Sequence, residues 1–436
     1  TDIAVLWAFE EGEGGLIRMS PDGQVRWKQH LDWWMKASQM AVASDGNSLY
    51  IVAASAMNAP EGQANYQGKW NRPMLWRVEA ATGAKQLYAA RQADQPMFGE
   101  YKDSGRIVTD VAVRDGRLYL TAPAQDTLFV VAAANGAQLA AWPVPAASGV
   151  AFLTDGRLVV GSGTAIVALD TARGTPGERL ADAGGEVWDV EPTADGGFVA
   201  TVGEPRHQVV RFAADGREIR ALGTPGGRPR TGPMQPESFR NPVGLCALAD
   251  GRIFAAENAA PRRFTRWAPD GHLEKQFHGP YYFSGMFGVD EEEPELIYGD
   301  THADLIRYRV DYDTGAWAVE HYWIGAYEQT GVPIKWWPRI RHRDGKTYWC
   351  SGSGAIAELA EDRARGVAAV YGGWIRTLDD GTLEPVYHNQ DTGRKGTWSD
   401  LNGDGRKQPD EWQTTEAPAY PLKSSGPQQD WGAYFD

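Results

Sequence analysis

The chain has 436 residues, with 43 Lys and Arg against 57 Asp and Glu, so its formal net charge is −14. This acidity argues against a nucleic-acid partner, because phosphate binding needs a basic surface. There is no apolar run of about 18 residues, so we expect no membrane span. The motifs of covalent c-type haem, of zinc proteases, of phosphate loops and of nucleophile elbows are also absent. The acidic run 290–293 is expected to be a solvated loop.

A repeated strand–turn–strand unit dominates the first two thirds of the chain. Its clearest turns are Asp115-Gly116, Asp155-Gly156 and Asp195-Gly196, which are spaced 40 residues apart. Asp-Gly supplies the positive φ angles of a tight hairpin, and the β-branched and aromatic residues beside it suit a half-buried strand. A third and a fourth strand follow in each copy. Four antiparallel strands per repeat of this length predict the blades of a propeller.

The copy that begins at Phe239 reads F-R-N-P-V-G-L-C-A-L-A-D-G-R-I-F-A-A-E-N and ends with a second Asp-Gly turn. This pattern resembles an NHL repeat, in which an aromatic residue and Pro-x-Gly precede an Asp-Gly hairpin. The resemblance implies an NHL-like β-propeller. Cys246 in this copy and Cys350 in a later one are expected to be small buried residues rather than a redox pair.

The fold class predicted from these copies is all-β, a β-propeller of seven or eight four-stranded blades with a C-terminal calcium-binding loop extension. A β-sandwich or two smaller all-β domains are the alternatives. The propeller is assigned to 1–388 and the extension, packed on it, to 389–436. The blades are expected near 1–31, 39–88, 106–143, 147–182, 187–222, 239–278, 283–323 and 339–388. Residues 418–436 show no strand pattern that would complete the last blade, so a further polypeptide segment is a second way to close the ring.

Downstream of the repeats lies the segment D-L-N-G-D-G-R-K-Q-P-D-E, which matches the calcium-loop template D-x-[DN]-x-[DN]-G-x5-E. It resembles an EF-hand or dockerin-type loop. The spacing wraps oxygen ligands around one point, and the last Glu closes the shell. The template positions that carry ligands or the turn are Asp400, Asn402, Asp404, Gly405, Arg406 through its carbonyl, Gln408 and Glu411.

No long amphipathic helix flanks this loop, so we expect structural calcium rather than a paired calcium sensor. Metal that binds only the folded form adds stability by mass action. Loops of this charge are saturated at the millimolar calcium found outside cells. We therefore expect an extracellular or periplasmic location. The alternative is a plain Asp-Asn-Gly turn cluster without metal.

Aromatic residues in long loops form the predicted ligand-binding set, because flat rings stack on sugars and hold cations. The chain contains 18 Trp. Such rings also fill gaps between blades, which is the alternative for each of them. The set comprises Trp70, Tyr282, Trp336 and Trp337, with Arg262 beside them.

Two histidines, His207 and His302, lie at nearly equivalent places just before a third strand. The stretch 206–212 resembles the zinc-ligand stretch of the peptidylglycine amidating lyases, which are NHL-like propellers. That resemblance implies a second metal in the channel and a metal-dependent lyase activity. Without metal, the two imidazoles could act as bases or brace their loops.

Two carboxylates, Glu257 and Asp300, follow second strands and are candidates for a catalytic pair at the channel mouth. Carbohydrate-active propellers use such pairs, and lactonase-type propellers hold a catalytic calcium in the channel. The alternative is that these residues cap loops or pair with Arg262 and Arg263.

The function predicted from the sequence is an extracytoplasmic, calcium-stabilised propeller that binds a small or carbohydrate-like ligand on its central face. One alternative is an enzyme, either a metal-dependent lyase, a lactonase or a carbohydrate-active hydrolase, with His207, His302, Glu257 and Asp300 as its catalytic residues. A second alternative is a scaffold for protein partners, which requires a flat apolar face.

Overall fold

The structure is a computed structural model, and it describes most of the chain between residues 108 and 326 together with shorter segments on either side. The described residues are 2–7, 13–34, 40–55, 72–87, 108–278, 287–300, 304–326, 339–343, 346–353, 371–378, 383–388, 397–399, 402, 404, 406 and 408–413. Strands dominate them, and two short 3₁₀ helices lie at Pro123–Gln125 and Pro409–Glu411. Within these residues, no helix is long and apolar enough to cross a membrane.

The chain forms two compact units. The first consists of Thr1–Gly227, Pro236–Ala259 and Arg263–Phe277, and the second of Arg228–Gln235, Ala260–Arg262 and His278–Asp436. All strand pairs in the described residues are antiparallel, as expected for hairpins joined in succession.

Six sheets belong to the first unit, and we number them one to six in chain order. Sheet one contains β1 Ile3–Trp7, β2 Glu13–Met19 and β3 Val25–Trp34, and sheet two contains β4 Met40–Ser44, β5 Ser48–Ser55, β6 Arg72–Glu79 and β7 Lys85–Leu87. Sheet three contains β8 Asp110–Arg114, β9 Arg117–Ala122, β10 Thr127–Ala132 and β11 Gln138–Pro143, and sheet four contains β12 Ala147–Phe152, β13 Leu158–Ser162, β14 Ala165–Asp170 and β15 Thr175–Asp182. Sheet five contains β16 Val187–Pro192, β17 Phe198–Val202, β18 Gln208–Phe212 and β19 Glu218–Leu222, and sheet six contains β21 Pro242–Ala247, β22 Ile253–Glu257, β23 Arg263–Trp267 and β24 Leu273–His278.

Two further sheets belong to the second unit. Sheet seven contains β20 Thr231–Pro233, β25 Phe287–Val289, β26 Leu296–Asp300, β27 Leu305–Val310 and β28 Trp317–Trp323, and sheet eight contains β29 Arg339–Arg343, β30 Lys346–Ser353, β31 Tyr371–Thr377, β32 Leu383–His388, β33 Thr397–Ser399 and β34 Trp412–Gln413. Because β33 pairs with β32, the predicted domain boundary at residue 388 falls inside sheet eight.

Apolar clusters join the six sheets of the first unit face to face, each sheet to the next. A further cluster joins the last sheet to the first, because Ile3 and Met19 pack with Leu248 and Phe254. Arg266 Nη1 also donates to the carbonyl of Pro21 at 2.7 Å. A closed circuit of antiparallel sheets is a β-propeller, which confirms the predicted all-β propeller fold and excludes the sandwich. The circuit contains six sheets, and the second unit adds two, so the described residues contain eight sheets in all.

The Asp-Gly turns form hairpins as predicted, although their geometry differs between copies. In sheet three both Asp115 and Gly116 have positive φ, 50° and 69°. This is the combination that a two-residue type I′ turn requires. In the next two copies the turn is longer, and only Gly156 and Gly196 adopt positive φ.

The first strand of each four-stranded sheet in the first unit lies beside the first strands of the neighbouring sheets, from β4 through β8, β12 and β16 to β21. These strands therefore form the centre of the first unit. Side chains that project from them toward one another are the ones that a central ligand would meet.

In the second unit, Asp290 differs from the rest of the acidic run in which it lies. Residues 291–293 are exposed as expected, but Asp290 is only 1% exposed. Its two carboxylate oxygens lie 2.8 and 2.9 Å from His342 Nε2. Burial alone would raise the pKa of Asp290, but the hydrogen bonds from His342 and from the amides of Glu292 and Glu293 outweigh it and lower that pKa.

Candidate functional site

The first strands of sheets three to six carry alternating residue types at one equivalent position. Asp110 occupies it in β8 and Asp189 in β16, whereas Gly149 occupies it in β12 and Gly244 in β21. The pairing register supports this equivalence, because Asp110 lies opposite Thr121 and Asp189 opposite Thr201. The centre of the first unit thus carries an acid on every second strand.

Each of the two aspartates bonds to the main chain of the next first strand. Asp110 Oδ2 accepts from the amide of Val150 at 2.6 Å, and Asp189 Oδ2 accepts from the amide of Leu245 at 2.7 Å. Asp110 Oδ1 also accepts from the amide of Val111 at 2.7 Å. Val150 and Leu245 lie at or next to register shifts in their strand pairs, where the ladder is interrupted, and the aspartates give their amides an acceptor.

Gly149 lets β12 and β16 approach each other closely. A Cβ atom at this position would lie 2.7 Å from the Cα atom of Asp189 and from the amide nitrogen of Val190. A side chain there would separate β12 from β16. Asp110 on β8 is near enough to Asp189 for the charge of Asp189 to raise its pKa.

Burial and nearby charge raise the pKa of both aspartates. Burial, followed by the negative charges of Asp189 and Glu191, raises the pKa of Asp110 well above its usual range. Burial also raises the pKa of Asp189, to about 6, while the hydrogen bond from the Leu245 amide limits the rise. These effects favour the protonated forms of the pair, whose titrations are linked.

Glu191 lies two residues after Asp189, so its side chain is on the same face of β16. It is half-buried. Burial and the nearby charge of Asp189 raise its pKa to about 8. The equivalent residues in the other sheets are Ala112, Ala151 and Cys246, so Glu191 is the one acid at this position in sheets three to six.

Cys246 lies near these acids on β21. Burial, then the charges of Glu191 and Asp189, raise the pKa of its thiol to about 12. The thiol is free and stays protonated at physiological pH, so it is not a reactive nucleophile. The backbone of Cys350 belongs to β30, and the side chain of Cys350 is not among those that the structure describes.

Thr201 contributes a hydroxyl group next to Asp189. The two residues are a cross-strand pair, which places their side chains on the same face of sheet five. Thr201 is completely buried, and its Oγ1 has no hydrogen-bond partner among the described residues. A buried hydroxyl without a partner is rare, because it forfeits its hydrogen bonds to water.

We refer to Asp110, Asp189, Glu191 and Thr201 as the central acid cluster. None of its three carboxyl groups forms an ion pair with a Lys, Arg or His within the described part of the chain. The described residues also contain no group of three or more His, Cys, Asp or Glu arranged to hold a metal ion. The cluster can hold and exchange protons and can accept hydrogen bonds from a ligand.

None of the residues in the central acid cluster is among the candidates predicted from the sequence. Those candidates are predicted to lie in loops, whereas the cluster lies at repeated strand positions, which indicate folding. The signal that could have found Glu191 is the comparison of equivalent positions, since an acid stands where the other copies have Ala or Cys.

The predicted site residue His207 immediately precedes β18, is buried, and has a φ of 51°. Its Nδ1 accepts from the amide of Asn241 at 3.3 Å, and its Nε2 lies 4.0 Å from a carboxylate oxygen of Glu204. A Cβ atom on Gly227 would lie 2.6 Å from the Cβ atom of His207. His207 thus packs tightly against the segment that leads into sheet six.

The predicted site residue Glu257 ends β22 and forms a fully buried ion pair with Arg263. Its other carboxylate oxygen accepts from the amide of Arg240. Arg263 also donates to the carbonyls of Pro236 at 2.7 Å and Ser238 at 2.6 Å. This network fastens residues 236–240 to sheet six, and it occupies both oxygens of Glu257.

The remaining predicted residues are not brought into either arrangement. Arg262 is exposed and belongs to the second unit. The backbone of Asp300 ends β26, and nothing is described of its side chain. Outside the described residues lie His302, Trp70, Tyr282, Trp336 and Trp337.

The C-terminal loop places several predicted calcium ligands next to one another. Glu411 is only 4% exposed, and its carboxylate oxygens lie 3.4 Å from the amide of Asn402 and 3.3 Å from that of Gln408. Asn402 Oδ1 accepts from the amide of Asp404 at 2.9 Å, and the side chain of Gln408 bonds to both Asn402 and Asp404. Template positions three, five, nine and twelve therefore converge. Arg406 is exposed, and Asp400 and Gly405 lie outside the described residues.

No protein-family model matches the chain, and no curated protein matches it. Solved structures resemble it. A candidate 6-phosphogluconolactonase from Bacteroides uniformis is 14% identical over 73% of this chain and 95% of its own, with a TM-score of 0.43. A chain of a nidogen/laminin complex is 11% identical over 64% of this chain and 94% of its own, with a TM-score of 0.44. The WD40 β-propeller domain of Doa1 is 13% identical over 73% of this chain and 88% of its own, with a TM-score of 0.40. Similarities of this size assign no activity to the chain.

Proposed function

We propose that this protein is an extracytoplasmic β-propeller that binds a small ligand at the centre of its first unit and is stabilised by calcium in its C-terminal loop. The observation that carries the proposal is Glu191. It is a half-buried acid in a central position, without an ion pair among the described residues. Ligand sites combine an apolar surround with a few convergent polar groups of this kind.

The fold supports a central ligand. Asp110 and Asp189 have a structural role in bonding the amides of Val150 and Leu245. The described part of the chain shows no such bond to Glu191. Retaining a carboxyl group with a raised pKa costs stability, and perturbed groups of this type concentrate at functional sites. A ligand with hydrogen-bond donors, such as a sugar or an amine, fits acceptors arranged in this way.

The calcium part of the proposal rests on the converging side chains of Asn402, Asp404, Gln408 and Glu411. Oxygen-rich and acidic, this set has the chemistry that a hard cation prefers. When bound, calcium would neutralise these carboxylates and hold the ends of the loop together. Millimolar affinity is sufficient outside the cell, which is why we propose an extracytoplasmic location.

The ligand proposal is tested by thermal-shift and calorimetric titration of the full chain with a panel of sugars, polyols, amines and organic acids. We expect at least one class to raise the melting temperature of the wild type and to lose most of that effect in Glu191→Gln. The exposed residue Glu178 on β15 provides the matched control, Glu178→Gln. No response from any class, or an equal response in both variants, would refute central ligand binding.

Acid–base catalysis is the second candidate, and the Asp110–Asp189 pair favours it. Two neighbouring carboxyl groups whose pKa values are raised can act as acid and base. The substrates to test are lactones and glycosides. The hydrolysis rate should fall at least about 100-fold in Asp189→Asn if the pair acts directly on substrate. Activity that survives this substitution would exclude the pair.

A further inference from the structure

The central acid cluster concentrates three carboxyl groups, and none forms an ion pair within the described residues. Two of them belong to the same strand, β16, and the third reaches them from β8. A carboxyl group in such a place is costly to ionise unless a positive charge pairs with it. The protein itself supplies no described countercharge, so the site is suited to receiving one from outside.

Backbone contacts explain only part of the cluster. The amides of Val111 and Val150 account for Asp110, and the amide of Leu245 accounts for Asp189. Glu191 is not explained in this way, because Ala112 and Ala151 fill the same position in sheets three and four without any polar group. The acid at position 191 is therefore unnecessary for the repeat to fold.

Thr201 supplies a second, independent observation. Its hydroxyl lies on the Asp189 face of sheet five, is completely buried, and has no partner in the described part of the chain. The equivalent threonine in sheet three, Thr121, bonds through its Oγ1 to Thr109 Oγ1 at 2.8 Å. Thr201 thus retains an unused donor and acceptor beside the acids.

We infer that the central acid cluster binds a small organic cation with a primary ammonium group, held by Glu191, Asp189 and Thr201. This inference rests on the proposed function and names the chemical class of its ligand. An ammonium group donates three hydrogen bonds and carries the missing positive charge. The two carboxylates and the hydroxyl supply three acceptors.

Other ligand classes match this chemistry less well. The described residues contain no group of His, Cys, Asp and Glu arranged for a metal ion. Sugar hydroxyls can bond to carboxylates, but they do not neutralise them. In a desolvated site, a charged donor forms a hydrogen bond about twice as strong as a neutral one.

Binding has a proton balance that can be measured. Before binding, the Glu191 carboxyl group is protonated at neutral pH because its pKa is about 8. On binding, the ammonium group keeps its proton, the Glu191 O–H bond breaks, and that proton leaves to the buffer. The titratable groups that face Glu191 in the described structure are Asp189 on its own strand, Asp110 on β8 and Cys246 on β21.

The test uses putrescine and agmatine as cationic probes, butanediol as the neutral counterpart of putrescine, and magnesium and calcium chlorides as inorganic cations. Isothermal titration at pH 7 in two buffers of different ionisation enthalpy gives the affinity and the number of protons released. We expect the amines to bind, with about one proton released per ammonium group bound at the cluster. Butanediol should bind at least about tenfold more weakly, which is about 1.4 kcal/mol.

Two variants separate a binding role from a structural one. Glu191→Gln should abolish the proton release and weaken amine binding at least about tenfold, whereas Thr201→Val should weaken binding without changing the proton release. Glu178→Gln should change neither. Circular dichroism checks that every variant is folded.

The outcomes are distinguishable. Sugars or neutral polyols that bind in a Glu191-dependent way, without amine binding, would overturn this inference and leave the proposed function intact. Binding of inorganic cations alone would also overturn it. Failure of every class to bind would overturn both.

Discussion

Asp110 accepts a hydrogen bond from the amide of Val150, a residue 40 positions further along the chain and on the next first strand. The separation equals one repeat, so an acid in one copy satisfies the backbone of the following copy. Asp189 repeats the arrangement with Leu245. The contact gives the centre of the first unit a direct link between sheets in addition to apolar packing.

Replacing Asp110 tests this link. Asp110→Ala leaves the amides of Val111 and Val150 without their acceptor, so we expect a loss of about 1–3 kcal/mol in the free energy of unfolding. Asp110→Asn retains one acceptor oxygen and should lose less. Urea denaturation followed by tryptophan fluorescence measures both, and equal losses in the two variants would contradict the role of the acceptor.

Gly149 and Gly244 provide a matched pair at the same repeat position. In Gly149→Ala the new methyl group would lie 2.7 Å from backbone atoms of Asp189 and Val190, so the two strands must separate. We expect a loss of about 1–3 kcal/mol, as for other overpacked sites. In Gly244→Ala the nearest atom is the Cβ of Ala256 at 3.4 Å, and the melting temperature should hardly change. A smaller effect at position 149 than at 244 would show that the close approach does not matter.

Glu191 gives stability a predictable pH dependence. Its pKa is raised to about 8 in the folded protein from an ordinary 4.5, so the folded state binds its proton more tightly than the unfolded state does. The stability that this group contributes is therefore fully present below pH 4.5. It decreases as the pH rises from 4.5 and is lost by about pH 8. One pKa unit corresponds to about 1.4 kcal/mol.

The variant Glu191→Gln removes this penalty. Its melting temperature, measured without ligand from pH 5 to pH 9, should exceed that of the wild type by an amount that grows with pH. Parallel profiles for the two proteins would mean that Glu191 is not desolvated.

The buried pair Glu257–Arg263 predicts a large single-residue effect. Arg263→Ala leaves a buried carboxylate without its cation and frees the carbonyls of Pro236 and Ser238, so we expect a loss of about 3–5 kcal/mol. The exposed pair Arg179–Asp182 is the control, and Arg179→Ala should cost less than about 1 kcal/mol. Chemical denaturation compares them, and similar values for both would contradict the burial argument.

Calcium binding at the C-terminal loop has a control within the loop itself. Chelation with EGTA should lower the melting temperature of the wild type, and Asp404→Ala should melt at the lower temperature with or without calcium. Asp410 is exposed and lies between ligand positions, so Asp410→Ala should keep the calcium response. Absence of bound calcium in the purified wild type after dialysis against it would refute the site.

The sequence predicted the fold well because its signals are local. An Asp-Gly pair between alternating apolar residues specifies a hairpin without reference to the rest of the chain, and Gly116, Gly156 and Gly196 all adopt the expected positive φ. The repetition of that signal then indicated the propeller.

The candidate site depends on contacts that no local pattern encodes. β12 and β16 approach each other closely because Gly149 leaves room for the backbone of Asp189, 40 residues away. Glu257 is a case in which the local pattern predicted a catalytic role that the three-dimensional contacts do not support. Its position after a second strand suggested catalysis, and only the three-dimensional neighbours show that both of its oxygens are occupied by Arg263 and the Arg240 amide.

The contact between Arg266 and Pro21 has a consequence for biosynthesis. The two residues are 245 positions apart, and the bond joins the first sheet of the first unit to the last. On the ribosome, sheet one emerges long before sheet six exists, so its apolar surface at Ile3 and Met19 stays without its partners until nearly all of the first unit has been made. During that interval the exposed apolar surface makes the partly synthesised chain prone to aggregation.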